Sequence, residues 1–364
     1  MIVKNITMKK NGYPFYIVLF LLTILSGCSK LSTEKAKPVD PYATFINPLW
    51  ANGADPWIYQ EGGTYYYTYT HGSKVVLQKT KRISGLYESM YYPDSANTSS
   101  WTPPARTNYS SNIWAPELHK IDGKWYIYFA ADNGSNANHR MYVLENTNPD
   151  PFKGTWEFKG KMTDTTDIWA IDGTVFEYKN QWYTVWSGWV SKTPTGVQNL
   201  YIAKMSNPWT IDGNRVLIST PDSGWEKDRG AINEAPEVIK NAKGEVFITF
   251  SGSYFESDNY CLGMLKLNAD SDPMNKANWY KYPKPVFVRN NAGGAFGPGH
   301  NGFFKSPDGK EDWLVYHARN LPNGGSTNYR NTRIQPFTWN ADGSPNFGQP
   351  VSIQERIAVP SGQQ

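Results

Sequence analysis

From about residue 45 onward, apolar residues come in short alternating or continuous runs broken by Gly, Asn and Asp, which is the period of strands. Five stretches repeat one design: "DPWIYQEGGTYYYTYT" from Asp55, "APELHKIDGKWYIYFA" from Ala115, "DGTVFEYKNQWYTVWS" from Asp172, "APEVIKNAKGEVFITFS" from Ala235 and "HNGFFKSPDGKEDWLVYH" from His300. Each reads as a short apolar strand, a polar turn and a second strand rich in aromatic and β-branched residues. The starts lie 60, 57, 63 and 65 residues apart, with further short strands and turn clusters between them. No stretch combines helical periodicity with capping residues.

Units of about sixty residues built only of strands suit the four-stranded blades of a propeller, and five of them fill the chain from Asp55 onward. The pattern therefore predicts an all-β, single-domain, five-bladed β-propeller over residues 45–358. A double β-sandwich explains the hairpins but leaves the even spacing without a cause.

The first 27 residues follow a different rule. Lys4, Lys9 and Lys10 precede an apolar run from Phe15 to Leu25, too short to span a bilayer and of the right length for the core of a signal peptide. "LSGC", Leu25 to Cys28, resembles a bacterial lipobox. It implies cleavage before Cys28 and lipidation of that cysteine, with residues 28–44 as a tether. The expectation is an exported lipoprotein, periplasmic or at the cell surface, that meets a membrane only through its anchor.

Removing the three leader lysines lowers the formal charge from +4 to +1, which leaves no basic patch for nucleic acid. With Cys28 lipidated, Cys261 is the only remaining thiol, so no internal disulfide is expected. Aromatic residues reach 15%, with 24 Tyr and 15 Trp, a supply of rings that suits a carbohydrate binder.

In a propeller the innermost strand of every blade lines the central channel, so Asp55, Ala115, Asp172, Ala235 and His300 converge on one funnel. Glu234 and Glu237 flank the fourth position. Paired carboxylates across a sugar-sized gap are the machinery of glycoside hydrolysis, one protonating the leaving oxygen and the other activating water or attacking. Blades 1 and 4 face each other across the axis, which sets Asp55 against a glutamate at 234 or 237. Asp172, on the neighbouring blade 3, is placed to raise that glutamate's pKa. Strand parity alone favours Glu237, because residues two apart share a face. Glu117 in blade 2 stands where blade 4 has Glu237, which marks 237 as a recurring blade element.

Other chemistries fit less well. No G-x-S-x-G occurs, the five histidines lack H-E-x-x-H spacing, and "GPGHNG" from Gly297 matches a dinucleotide pattern without the helix that such a loop must open. A non-catalytic sugar-binding propeller accounts for the rings but not for three convergent acids.

Over residues 45 to 358 these motifs resemble the family-43 glycoside hydrolases, five-bladed propellers that act on arabinose- and xylose-containing plant polysaccharides. "ADPW" is similar to the family's first motif and implies Asp55 as general base. "IDGTVF" is similar to the second, implying that Asp172 tunes the acid and orients the sugar. "NEAPEV" is similar to the third and implies Glu234 as general acid, with Ala235 replacing the usual Gly. The resemblance also implies inversion, a substrate contact from Arg319 in "VYHARN", and a central calcium ion or water held with the help of His300. Trp57, Trp114 and Trp169 neighbour these motifs and are expected to offer sugar-stacking faces.

Within the family the expected activity is exo-acting release of L-arabinofuranose from arabinan or arabinoxylan, with endo-arabinanase or β-xylosidase as the alternatives. Two loops, Tyr87 to Asn112 and Arg289 to Phe296, are expected to narrow the channel mouth to a single-sugar pocket. The tail Arg333 to Pro350 resembles the arabinose-releasing branch, and no appended β-sandwich domain is read after it.

Overall fold

The computed structural model describes residues 42–86, 97–323 and 329–363. The leader, Cys28, most of the tether and residues 87–96 of the first expected mouth loop lie outside them. Five antiparallel four-stranded sheets follow one another along the chain, each built from consecutive strands. Their innermost strands are Trp57–Glu61, Ser111–Ile121, Ala170–Tyr178, Asn233–Lys240 and Phe296–Lys305, and these head blades 1 to 5. This is the expected five-bladed propeller.

The aromatic supply goes mainly into the seams between blades. Every pair of neighbouring blades shares one apolar cluster, for example Tyr126, Tyr128 and Met141 of blade 2 against Val175, Trp186 and Tyr201 of blade 3. The first and last described segments meet between blades 5 and 1. Thr44–Phe45 pairs with Ile357–Ala358, and Leu49 and Gly53 bond to the third strand of blade 5 and the residue just before it.

The five repeat starts share an unusual backbone. Asp55, Ala115, Asp172, Ala235 and His300 all adopt positive φ, between 44° and 56°. Left-handed geometry costs a non-glycine residue roughly 1–2 kcal/mol. In blades 2 to 5 the ladder between the first two strands is interrupted at these positions, as between Glu234 and Glu237. The innermost strands of blades 2 to 5 are thus bulged at equivalent positions, while that of blade 1 begins just after its kink. Pro56, Pro116 and Pro236 follow three of the kinks, where a residue without N–H leaves no donor unpaired.

Four of the five kinked amides donate to side chains of the preceding blade around the ring. Ala115 N–H donates to Thr70 Oγ1 at 2.8 Å, Ala235 N–H to Asp172 Oδ2 at 3.0 Å, His300 N–H to Ser251 Oγ at 2.8 Å and Asp55 N–H to His317 Nδ1 at 3.1 Å. The kinks therefore both turn the strands at the channel and join four of the five pairs of neighbouring blades.

Candidate active site

At the kinked ends of the innermost strands lies a cavity of about 290 Å³, walled by Asp55, Asp172, Glu234 and His300 together with Trp114 and Trp169. The bulge explains why Glu234 enters it. Regular pleating puts 235 and 237 on one face and 234 on the other, but the left-handed residue at 235 turns the strand, so 234 faces the cavity. Glu237 is buried one tier below, against Glu117, and burial with that neighbouring carboxyl holds its pKa well above the usual range.

The four titratable groups are divided by their surroundings. Burial alone pushes the Asp55 carboxyl up, but the Arg330 guanidinium and the His300 imidazolium outweigh it and hold the pKa well below the usual range. Arg330 Nη1 lies 2.6 Å from Asp55 Oδ1, His300 Nδ1 lies 3.1 Å from the same oxygen, and Thr70 Oγ1 donates to Oδ2 at 2.6 Å. Asp55 is therefore a carboxylate at any ordinary pH.

Glu234 is the opposite case. Burial, reinforced by the negative charge of Asp172, pushes it up to about 8, and Tyr260 Oη donates to its Oε1 at 2.9 Å. Asp172 itself is raised to about 6, chiefly by burial, and its Oδ2 accepts from the amide of Ala235, the residue next to Glu234. At neutral pH the cavity presents a charged carboxylate on blade 1 and a protonated carboxyl on blade 4. That is the division of labour that acid–base hydrolysis requires.

The two histidines near Asp55 also differ. Burial opposes charge on His300, but Asp55 and Asp172 raise its pKa to about 9, so it is cationic. His317, fully buried, accepts the Asp55 amide at Nδ1, and burial lowers its pKa to about 3. It is neutral, and its 3.4 Å approach to Asp55 Oδ1 is not an ion pair.

A calcium ion fits this donor set poorly. Ligand atoms of Asp55, His300 and His317 lie within 4.8 Å of one another. Calcium asks for about six to eight oxygens, whereas the single carboxylate here is already engaged by Arg330 and Thr70, and one imidazole is cationic. His300 stands instead as the cationic neighbour of Asp55.

The rings divide as well. Trp114 and Trp169 wall the cavity, with Trp114 stacked on His139 at 3.9 Å, Trp169 stacked on Trp189 at 4.8 Å, and His139 meeting Trp169 edge-on at 6.4 Å. His139 is fully buried, its Nδ1 3.0 Å from Asp132, and it supports the wall from behind. Trp57, expected as a sugar platform, instead closes the channel below. Its Nε1 donates to the Leu118 carbonyl at 2.9 Å, its ring lies 4.9 Å from His119, and a Cβ on Gly302 would stand only 3.0 Å from it.

Arg319 is likewise off the cavity. Its guanidinium is buried and donates to the Phe255 carbonyl at 3.0 Å and to Asp258 at 2.8 Å, which fixes Phe255 in the cavity wall. The arginine facing the cavity is Arg330, whose only sequence signal is its place just before the third strand of blade 5. Arg289–Phe296, expected to narrow the mouth, folds back through Asn290 and Ala295, and of the other expected loop Arg106–Tyr109 line a separate depression. Asn136, Gln198, Tyr254 and Phe255 surround the opening instead.

A family model described as "Glycosyl hydrolases family 43" matches residues 45–345. The chain is 42% identical over 325 residues to an extracellular exo-α-(1→5)-L-arabinofuranosidase of Streptomyces avermitilis, an alignment covering 86% of this chain and 65% of that protein. It is 38% identical over 284 residues to a protein of the same name from Streptomyces chartreusis, covering 76% of this chain and 83% of the relative. The crystal structure of an α-L-arabinofuranosidase from Lactobacillus brevis superposes with a TM-score of 0.77 at 38% identity, covering 85% of this chain and 98% of that one. The chain thus spans just under two thirds of the length of the Streptomyces avermitilis relative.

Proposed function

The chain belongs to glycosyl hydrolases family 43, and from that premise we propose that it is an inverting, exo-acting α-L-arabinofuranosidase that removes terminal arabinose from plant arabinan or arabinoxylan. The observation that carries the reading is the opposed pair in one cavity: a carboxylate held ionised at Asp55 and a carboxyl held protonated at Glu234. The names of the relatives favour arabinofuranose as the sugar.

In this mechanism the sugar stacks within the aromatic wall of Trp114 and Trp169 while a water rests against Asp55. Asp55 takes a proton from the water as its oxygen bonds to the anomeric carbon. The bond to the leaving oxygen breaks as that oxygen takes the proton of Glu234. Asp172 keeps Glu234 protonated by like-charge repulsion and, through the Ala235 amide, fixes the strand that carries it. Inversion requires the two carboxyls to stand roughly 6.5–9.5 Å apart with the water between them.

Incubation with nitrophenyl α-L-arabinofuranoside, nitrophenyl β-D-xyloside and debranched arabinan tests the substrate. Monomeric arabinose from the first is expected. Short oligomers from the third identify an endo-arabinanase, xylose from the second a xylosidase, and sugar binding without any cleavage a non-catalytic propeller.

The same reading includes export and a lipid anchor at Cys28. The charged, apolar and "LSGC" segments of the first 28 residues support it, as does the word "extracellular" in the names of two relatives. Cys28→Ser is expected to release active enzyme from the membrane fraction, and an unchanged distribution would refute the anchor.

A further inference from the structure

Beyond the short turn Asn136–Asn138, whose first residue walls the catalytic cavity, blade 2 carries a second and larger depression of about 630 Å³. Its lining is partly aromatic. Tyr109 and Phe158 stack at 4.1 Å with an interplanar angle of 18°, and the stack continues to Trp101, 6.2 Å from Phe158. These rings are half-buried and held by the seam between blades 1 and 2, so they form a rigid surface. Side-chain amides of Asn108, Asn133 and Asn138 stand around them.

The charge of the groove is uneven. Arg140 and Lys161 share a single acid, Asp167, at 2.8 Å each, which leaves one positive charge uncancelled. Arg106 adds another and makes no ion pair among the described residues. None of these groups has a part in the acid–base chemistry next door. A ring face flanked by amides is suited to a sugar, whose C–H face stacks while its hydroxyls hydrogen-bond. The surplus positive charge favours a sugar that carries a carboxylate.

We propose that this groove is a second, non-catalytic saccharide site that holds a uronate-bearing segment of the polysaccharide being trimmed, an inference that rests on the reading of the chain as a polysaccharide-acting enzyme. Anchoring the polymer one turn away raises the local concentration of its arabinose branches at the cavity. The gain applies to polymers and leaves small glycosides untouched.

The test uses the full chain with Asp55→Ala to prevent digestion, run on native gels containing no polysaccharide, neutral debranched arabinan, or glucuronate-bearing arabinoxylan. Retardation is expected to be strongest with the acidic polymer and to weaken with salt. Arg106→Glu and, separately, Lys161→Gln in the same background are expected to cut the apparent affinity for that polymer severalfold. Each substitution in the otherwise wild-type chain should leave hydrolysis of nitrophenyl α-L-arabinofuranoside unchanged, which also shows that the variants fold. Equal retardation by neutral and acidic polymers, or retardation indifferent to both substitutions, would overturn the proposal. Failure of the wild-type enzyme on the nitrophenyl glycoside would strike the functional reading instead, and the gels would still answer for the groove.

Discussion

Blades 2 and 4 pass through the channel with the same three residues, Ala-Pro-Glu, in the same kinked backbone, with φ of 44° at Ala115 and 49° at Ala235. Their glutamates, Glu117 and Glu237, meet in the buried tier beneath the cavity. The blades differ one residue earlier. Blade 2 places Trp114 in the cavity wall, and blade 4 places Glu234 there. In blades 2 to 4 the kinked backbone thus presents the residue before the kink to the cavity, each blade filling that position with its own chemistry, whereas in blades 1, 3 and 5 the kink residues Asp55, Asp172 and His300 line the cavity themselves. In blade 3 the same position holds Ile171, an apolar wall residue.

The largest effect is expected from Asp55→Ala, which removes the carboxylate proposed to activate water. Activity should fall by about 10²–10⁴ on both natural and nitrophenyl substrates, because activation of water is needed whatever the leaving group. Steady-state rates on the two substrates check this, and an active Asp55→Ala enzyme would remove the base from the account.

Trp114→Ala tests the blade 2 side of the comparison. Loss of one stacking face is expected to raise KM about tenfold, a change of ~1.4 kcal/mol, with kcat less affected. A fall in kcat with KM unchanged would give Trp114 a role in the chemistry instead of in holding the sugar.

A smaller effect, read as a shift along the pH axis, is expected from Asp172→Asn. As the proposed acid, Glu234 must be protonated, so activity should be lost as pH rises through about 8. Removing the neighbouring negative charge lowers the pKa of Glu234, so the alkaline limb should move to lower pH. An upward move in the kcat/KM profile would contradict the assigned coupling. The smallest effect belongs to Glu237→Gln, whose side chain lies below the cavity. Activity is expected to stay within the same order of magnitude, and a dead enzyme would exchange the roles of 234 and 237.

The periodic features were legible in the sequence because they are local. Turn residues, strand alternation and the sixty-residue spacing predict five blades, and the acids at equivalent starts lie together in the cavity as that spacing implies. The kink is harder to read, since alanine rarely adopts positive φ and only its recurrence before Pro hints at it. Parity therefore points to Glu237, where the bulged backbone presents Glu234. The arginines and Trp57 mislead for a different reason. Arg319 and Arg330 are both near strand ends, and what separates them is partners far along the chain, Asp258 for one and Asp55 for the other. Trp57 lies beside Asp55 in sequence, but a residue two past the kink belongs to the tier below, where the missing side chain of Gly302 makes room for its ring.

If Glu234, the residue before the blade 4 kink, is the proton donor, its removal should act selectively on substrates whose leaving oxygen must be protonated. The most direct measurement compares Glu234→Ala with the parent enzyme on arabino-oligosaccharides, whose leaving oxygen must be protonated, and on nitrophenyl α-L-arabinofuranoside, whose leaving group needs little help. A loss of about 10²–10⁴ is expected on the oligosaccharides and a much smaller loss on the nitrophenyl glycoside. Equal losses on both substrates would contradict it.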